Sequence, residues 1–100
     1  MDLKNQIYSN LKKVPKGKVI TYKSLGDSVN SKAYRFIGKC MANNPNFIEN
    51  PCYKVVLSNG KVGNYSGKGG INKKVKKLKD DGIKVTNGKV DLFEYGYKFL

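Results

Sequence analysis

Pro51-Cys52-Tyr53-Lys54-Val55, continued by Val56-Leu57, is the stretch from which the rest of the chain can be read. A proline fixes the entry to a tight turn, a cysteine sits inside it, a polar ring and a cation follow, and the β-branched run after them is suited to a buried strand. Two readings of Cys52 stay open on these residues alone. The thiol lies at the floor of a pocket, or it is a small buried core residue, as most free cysteines are.

Working outward, Asn43-Asn44-Pro45-Asn46 is a turn-rich break upstream, and Gly63-Asn64-Tyr65-Ser66-Gly67 follows downstream. Residues 54 to 65 read as a hairpin, with Lys54-Val55-Val56-Leu57 going out, a turn at Ser58-Asn59-Gly60, and a return through Tyr65. Before the break, Ser31 is the expected N-cap of a helix running to about Met41. Its apolar positions are Ala33, Phe36, Ile37, Cys40 and Met41. A shorter helix from about Lys23 or Ser24 to Val29-Asn30 precedes it, and the pair fits a helix-turn-helix as well as an ordinary helical hairpin. Near the start, Leu3, Ile7, Tyr8 and Leu11 share one helical face behind Asp2, a candidate N-cap, and Val14-Pro15-Lys16-Gly17 ends that helix. Beyond the loop at 66–70, Ile71, Val75 and Leu78 anchor a Lys-rich helix that stops at Gly82. Asn87-Gly88 then predicts a second small hairpin, after which Phe93, Tyr95, Tyr97 and Phe99 dock on the core. The fold class expected is α+β, mostly helical: a winged-helix-like helix-turn-helix with short β-hairpins, residues 1–100 forming a single domain.

The chain has 100 residues, 39% hydrophobic and 27% charged, enough for one modest core. No apolar run approaches the ~18 residues that cross a bilayer, and the first residues lack a signal-peptide core. A place inside the cell, in the cytoplasm and associated with the nucleoid, is expected. With 20 basic against 7 acidic residues the net charge is +13, which favours a polyanionic partner, nucleic acid before an anionic membrane surface or a merely solubilising coat. All the cations but one are lysine, so Arg35 stands out as a position that calls for a planar, bidentate group. Two cysteines and no histidine do not make a zinc site, and neither a metal nor another cofactor is expected.

In this order and spacing, Val14-Pro15-Lys16-Gly17-Lys18-Val19, Tyr22, Arg35, Asn44-Pro45, Pro51-Cys52, Val55-Val56, Gly63-Asn64-Tyr65-Ser66-Gly67 and Asp81-Gly82 resemble the C-terminal DNA-binding, active-site domain of the O6-alkylguanine-DNA alkyltransferases. The likeness covers about residues 3 to 82, without a gap from Arg35 to Tyr65. It implies direct-reversal DNA repair by a monomer, in which Cys52 irreversibly takes the alkyl group from O6-alkylguanine in double-stranded DNA after the base is flipped out through the minor groove. The same resemblance makes Arg35 the finger that fills the vacated stack, and Tyr22 the residue that turns the 3′ phosphate and donates to guanine N3. Ser66 offers its backbone N–H to O6, the carbonyls of Cys52 and Val55 accept from the exocyclic amine, and Tyr65 forms the pocket wall. Thr21, Ala33, Tyr34 and Gly38 complete the DNA-binding set, with Tyr34 larger than the small residue usual there. Asn44 ties the helix-turn-helix to the active-site turn.

The main departure is Tyr53, where the family has a histidine that relays the thiol proton to a glutamate, matched here by Asp81. A phenol with pKa near 10 is a poor base at neutral pH. The thiolate is therefore expected to lean on the field of Lys54 and on backbone N–H groups, which can lower a cysteine pKa from about 8.5. Slower transfer, with a rate rising from pH 7 to 9, follows. Two other readings remain: a non-catalytic sensor like the alkyltransferase-like proteins, which replace the cysteine and recruit other repair factors, and a basic DNA-binding module with an inert thiol.

Overall fold

The computed structural model describes residues 2–63, 65 and 67–99 of the chain. Helix α1 (Leu3–Lys12) begins where expected, because Asp2 accepts the N–H of Asn5 at 2.8 Å, and it turns Ile7, Tyr8 and Leu11 inward. The Tyr8 hydroxyl donates to the carbonyl of Cys40 at 2.7 Å and so pins α1 to a later helix. Strand β1 (Ile20–Thr21) leads directly into α2 (Tyr22–Ser28), capped by the Thr21 hydroxyl accepting from Ser24 N–H at 3.0 Å.

Helix α3 (Tyr34–Ala42) starts later than the Ser31 cap predicts. The Ser31 hydroxyl instead accepts the N–H of Ala33 at 3.0 Å, and Ser31 N–H reaches back to the carbonyl of Gly26 at 2.9 Å, so the serine closes the turn and Ala33 takes the cap position without a side-chain bond. Gly26 is what lets α2 and α3 meet: a Cβ there would lie 2.8 Å from the carbonyl oxygen of Ser31 and 2.9 Å from side-chain carbons of Ile37 and Tyr34. Ile37, Cys40 and Met41 are buried, whereas Ala33 and Phe36, placed by period on the same face, are exposed.

The hairpin expected over 54–65 is not formed as such. Strand β2 (Val55–Val56) pairs in parallel with β1, Ile20 opposite Val55 and Thr21 opposite Val56. Both valines are fully buried, and the interior partner is the buried segment ending at Ile20. A tight turn does form at 58–60, closed by Leu57 N–H on the Lys61 carbonyl at 2.9 Å, but the returning chain then pairs elsewhere: Val62 N–H donates to Gly88 and Val90 N–H to Gly60. Its partner is the second hairpin, β3 (Val85–Thr86) with β4 (Lys89–Val90), antiparallel about Asn87 and Gly88 at positive φ, as the Asn-Gly signal predicts.

Helix α4 (Gly70–Asp80) stops at Gly82, φ +86°, with Ile83 N–H returning to Leu78 at 3.0 Å. Of the expected anchors Leu78 is buried and Val75 packs on the interior, but Ile71 is exposed and Lys74 is buried instead. After the short α5 (Leu92–Tyr95), the tail extends β1: Val19 N–H donates to Tyr95 O at 2.8 Å, and Tyr97 N–H to Val19 O at 2.7 Å. Tyr95, Tyr97 and Phe99 pack on the interior, but Phe93 does not dock and is fully exposed. The buried residues form two clusters, one around Ile7, Leu11, Leu25, Ile37 and Cys52, the other around Val19, Val56, Leu78 and Ile83.

Candidate functional site

Cys52 opens a single 3₁₀ turn, Cys52–Lys54, in which Cys52 N–H donates to Asn50 O at 2.7 Å and Val55 N–H returns to Cys52 O. The turn is held from behind by a buried pair of asparagines. Asn44 Nδ2 donates to Asn50 O at 2.7 Å, while Asn44 Oδ1 accepts from Asn50 Nδ2 at 3.2 Å and from Asn46 N–H at 3.1 Å. Asn44 also hydrogen-bonds the Cys52 thiol, so one side chain joins the end of α3 to the sulfur. Asn50 is the partner that sequence alone missed; the signal was an asparagine directly before the proline of the turn.

Cys52 is 5% exposed. Burial pushes its pKa above the usual thiol value, partly offset by the Asn44 hydrogen bond, by Lys74, by a backbone hydrogen bond and by Lys77. The lowered thiol pKa expected from the sequence is thus reversed by desolvation. Tyr22, first residue of α2, and Tyr65 are half-buried against the same cluster. Both phenols are pushed up, first by desolvation and then by the charge that Cys52 would carry. Phe47 lies 5.6 Å, centroid to centroid, from the Tyr65 ring. Ser66 lies outside the described residues. Val55 O, expected to face a substrate amine, already accepts from Lys74 Nζ at 2.7 Å and has one lone pair left.

Lys54 does not supply the field at the thiol. Its ammonium is buried, donates to Val14 O and Pro15 O at 3.0 Å each, and lies 3.6 Å from Asp81 Oδ2. Asp81 also accepts from Gly17 N–H at 3.4 Å and holds the Tyr53 phenol, whose pKa is raised by burial and then by that carboxylate. Lys77 sits 5.6 Å from the Tyr53 ring. Tyr53 and Asp81 are therefore together, as expected of them, but the phenol is a hydrogen-bond donor locked on an anion and cannot serve as a base near neutrality. The cations that favour a Cys52 thiolate come from α4.

On the outer face of α3, Arg35, Tyr34 and Lys39 are exposed beside Gly38, where a Cβ would meet nothing within 4 Å. Tyr34 OH reaches Asp27 at 3.5 Å, so the oversized ring folds back on α2. An open groove runs between α2 and the tail, past Ser24, Asp27, Leu92 and Tyr97, but Cys52 does not line it.

Residues 2–83 match the family model for the 6-O-methylguanine DNA methyltransferase, DNA binding domain. The chain belongs to that family. Among its relatives, a bifunctional methyltransferase/endonuclease of Picrophilus torridus is 39% identical over 98 residues, 97% of this chain and 32% of that protein. The chain thus spans about a third of the length of the first relatives it matches. Among solved structures, the O6-methylguanine-DNA methyltransferase of Pyrococcus kodakaraensis superposes with a TM-score of 0.71 at 34% identity, over 83% of this chain and 47% of that one. The S. pombe ATL in complex with DNA superposes with a TM-score of 0.79 at 25% identity, over 99% of this chain and 100% of that one. The family fold is accordingly the α+β arrangement described above. Among the described residues, no helix is long and apolar enough to cross a membrane.

Proposed function

We propose that residues 1–100 act as one unit that removes the alkyl group from O6-alkylguanine in double-stranded DNA by transferring it to Cys52. The observation that supports this most directly is the setting of Cys52, whose thiol is hydrogen-bonded by Asn44 while Tyr22 and Tyr65 pack on the same buried cluster. In the transfer, the thiolate attacks the alkyl carbon, an S–C bond forms, and the C–O6 bond breaks with its electron pair left on guanine. Tyr22 donates to the purine N3 and draws off part of that charge. The thioether product does not return its alkyl group, so each molecule acts once.

Reaching O6 requires the nucleotide to leave the stack, at a cost of roughly a few kcal/mol. Arg35 on the exposed face of α3 fills the gap, and Gly38 and Ala33 allow that face to approach the groove closely. That the S. pombe relative was solved in complex with DNA supports DNA as the partner. Incubation with duplex DNA carrying O6-methylguanine, read by intact mass, tests the proposal: one CH2 equivalent is gained, and the gain is lost in Cys52→Ser. Wild-type protein that binds this DNA but keeps its mass refutes transfer. Arg35→Ala should slow transfer from the duplex far more than transfer from free O6-benzylguanine, and equal losses would remove the flipping role.

A second reading, the damage sensor, is favoured by the 5% exposure of Cys52 in the DNA-free chain. It requires tight binding of alkylated over unmodified DNA with no mass change.

A further inference from the structure

Asn50 is a buried polar residue, 6% exposed, to which the transfer chemistry gives no task. It meets Asn44, itself 7% exposed, through two bonds of opposite sense: its carbonyl accepts from Asn44 Nδ2 at 2.7 Å, and its own Nδ2 donates to Asn44 Oδ1 at 3.2 Å. The N–H of Asn46 is the second donor on Asn44 Oδ1, at 3.1 Å, so both lone pairs of that oxygen are taken. Of the two hydrogens on Asn44 Nδ2, one is on Asn50 O and the other is left for the Cys52 thiol, to which Asn44 is hydrogen-bonded. Turned end for end, the Asn44 amide would set its NH2 against the N–H of Asn46 and the NH2 of Asn50, and its oxygen against the Asn50 carbonyl. Three contacts therefore fix which end of the amide faces the sulfur, and Asn50 makes two of them. Asn50 O also accepts Cys52 N–H at 2.7 Å, so the same residue sets the backbone entry to the 3₁₀ turn.

We propose that Asn50 is a positioning residue for alkyl transfer: its side-chain amide holds the Asn44 carboxamide with one N–H aimed at Cys52, where that donor bonds the thiolate. This deepens the transfer reading and rests on it for the reaction. A donor on the charged form favours ionisation and works against the burial that dominates at this thiol. The titratable groups that also act on Cys52 are the phenols of Tyr8 from α1, Tyr22 from α2 and Tyr65, and the ammonium groups of Lys74 and Lys77 from α4. Stabilising a thiolate lowers its nucleophilicity, but only by about half as much, on a logarithmic scale, as it raises the ionised fraction. The net effect of the aimed donor below the thiol pKa is faster transfer.

The test follows the Cβ resonances of Cys52 and Cys40 in 13C-cysteine-labelled protein from pH 6 to 11, the two assigned with Cys40→Ser. Asn50→Leu keeps the branched outline of the side chain and deletes the donor. It should move the Cys52 titration upward, so that the thiolate fraction at pH 8 falls by about tenfold. Cys40, buried in the same cluster, should titrate as in wild type. Asn44→Ala should produce a similar rise, and adding Asn50→Leu to it should produce no further one, because the two act in series. An unmoved Cys52 in Asn50→Leu, an equal movement of Cys40, or the full effect of Asn50→Leu on top of Asn44→Ala overturns the proposal. Should Asn50→Leu fail to fold, the wild type decides: the side-chain N–H signals of Asn44 and Asn50 should both titrate with Cys52 and stay still in Cys52→Ser, and Asn50 signals that ignore the cysteine overturn the proposal. If these titrations hold while O6-methylguanine DNA gives no mass gain, the positioning of Asn44 stands and the transfer reading alone falls.

Discussion

Lys74 leaves a signature in the pH dependence of stability. Its folded pKa of about 8 lies below the ordinary lysine value, so between pH 8 and 10.5 the unfolded chain binds more protons than the folded one. This group alone makes the fold more stable as pH rises through that window, by up to about 3 kcal/mol. Chemical denaturation should accordingly show Lys74→Met losing ground relative to wild type from pH 8 to 10.5; a constant difference would mean that the amine is not held in its neutral form. Cys52 shifts the other way, and its raised pKa puts the rise in thiol reactivity at alkaline pH. Cys52 was marked by its proline-initiated turn, whereas Tyr22, Asn44 and Asp81 were marked only by the family resemblance. Lys74 was not read out, although the clue was present. Residues 71, 74, 75 and 78 make an i, i+3, i+4, i+7 stripe, and a lysine within such a stripe occupies a core position.

At the scale of elements, two glycines on the α2–α3 pair make opposite predictions. Gly26→Ala gains helix propensity, but its new methyl meets the Ser31 carbonyl at 2.8 Å, and a backbone oxygen does not yield cheaply. A net loss of about 1–3 kcal/mol is expected in thermal or urea unfolding. Gly38→Ala meets nothing and should stabilise α3 by about 0.5–1 kcal/mol. If that face enters the groove, the same change weakens DNA binding, so a stabilised variant with unaltered affinity would take α3 off the interface. Helices α1 to α4, their order and the Asn-Gly hairpin followed from periodicity and turn residues, whereas α5 did not. The misread element was the strand at Val55, because a run buried on both sides carries no alternation to say which partner it will find. Proximity suggested the segment after Gly60, whereas the structure uses Ile20–Thr21.

For the molecule as a whole, the charge of +13 overstates what DNA can meet, because Lys54 and Lys74 are interior. Binding should weaken steeply with salt, and removal of an exposed lysine at the interface should reduce the log–log slope by about 1. Lys74→Met should leave the slope unchanged, and a reduced slope would show that its charge reaches the phosphates.

The matched span ends at residue 83, yet the innermost strand is completed by residues 95–97. Val19 is fully buried, and both its backbone N–H and its carbonyl are satisfied by Tyr95 and Tyr97. A version trimmed to the matched span would strand two peptide groups in the interior, each costing about 1–3 kcal/mol. On the ribosome, the polypeptide around Cys52 emerges well before the segment that closes its neighbouring strand, so the nascent thiol passes through a stage of synthesis less shielded than in the finished molecule.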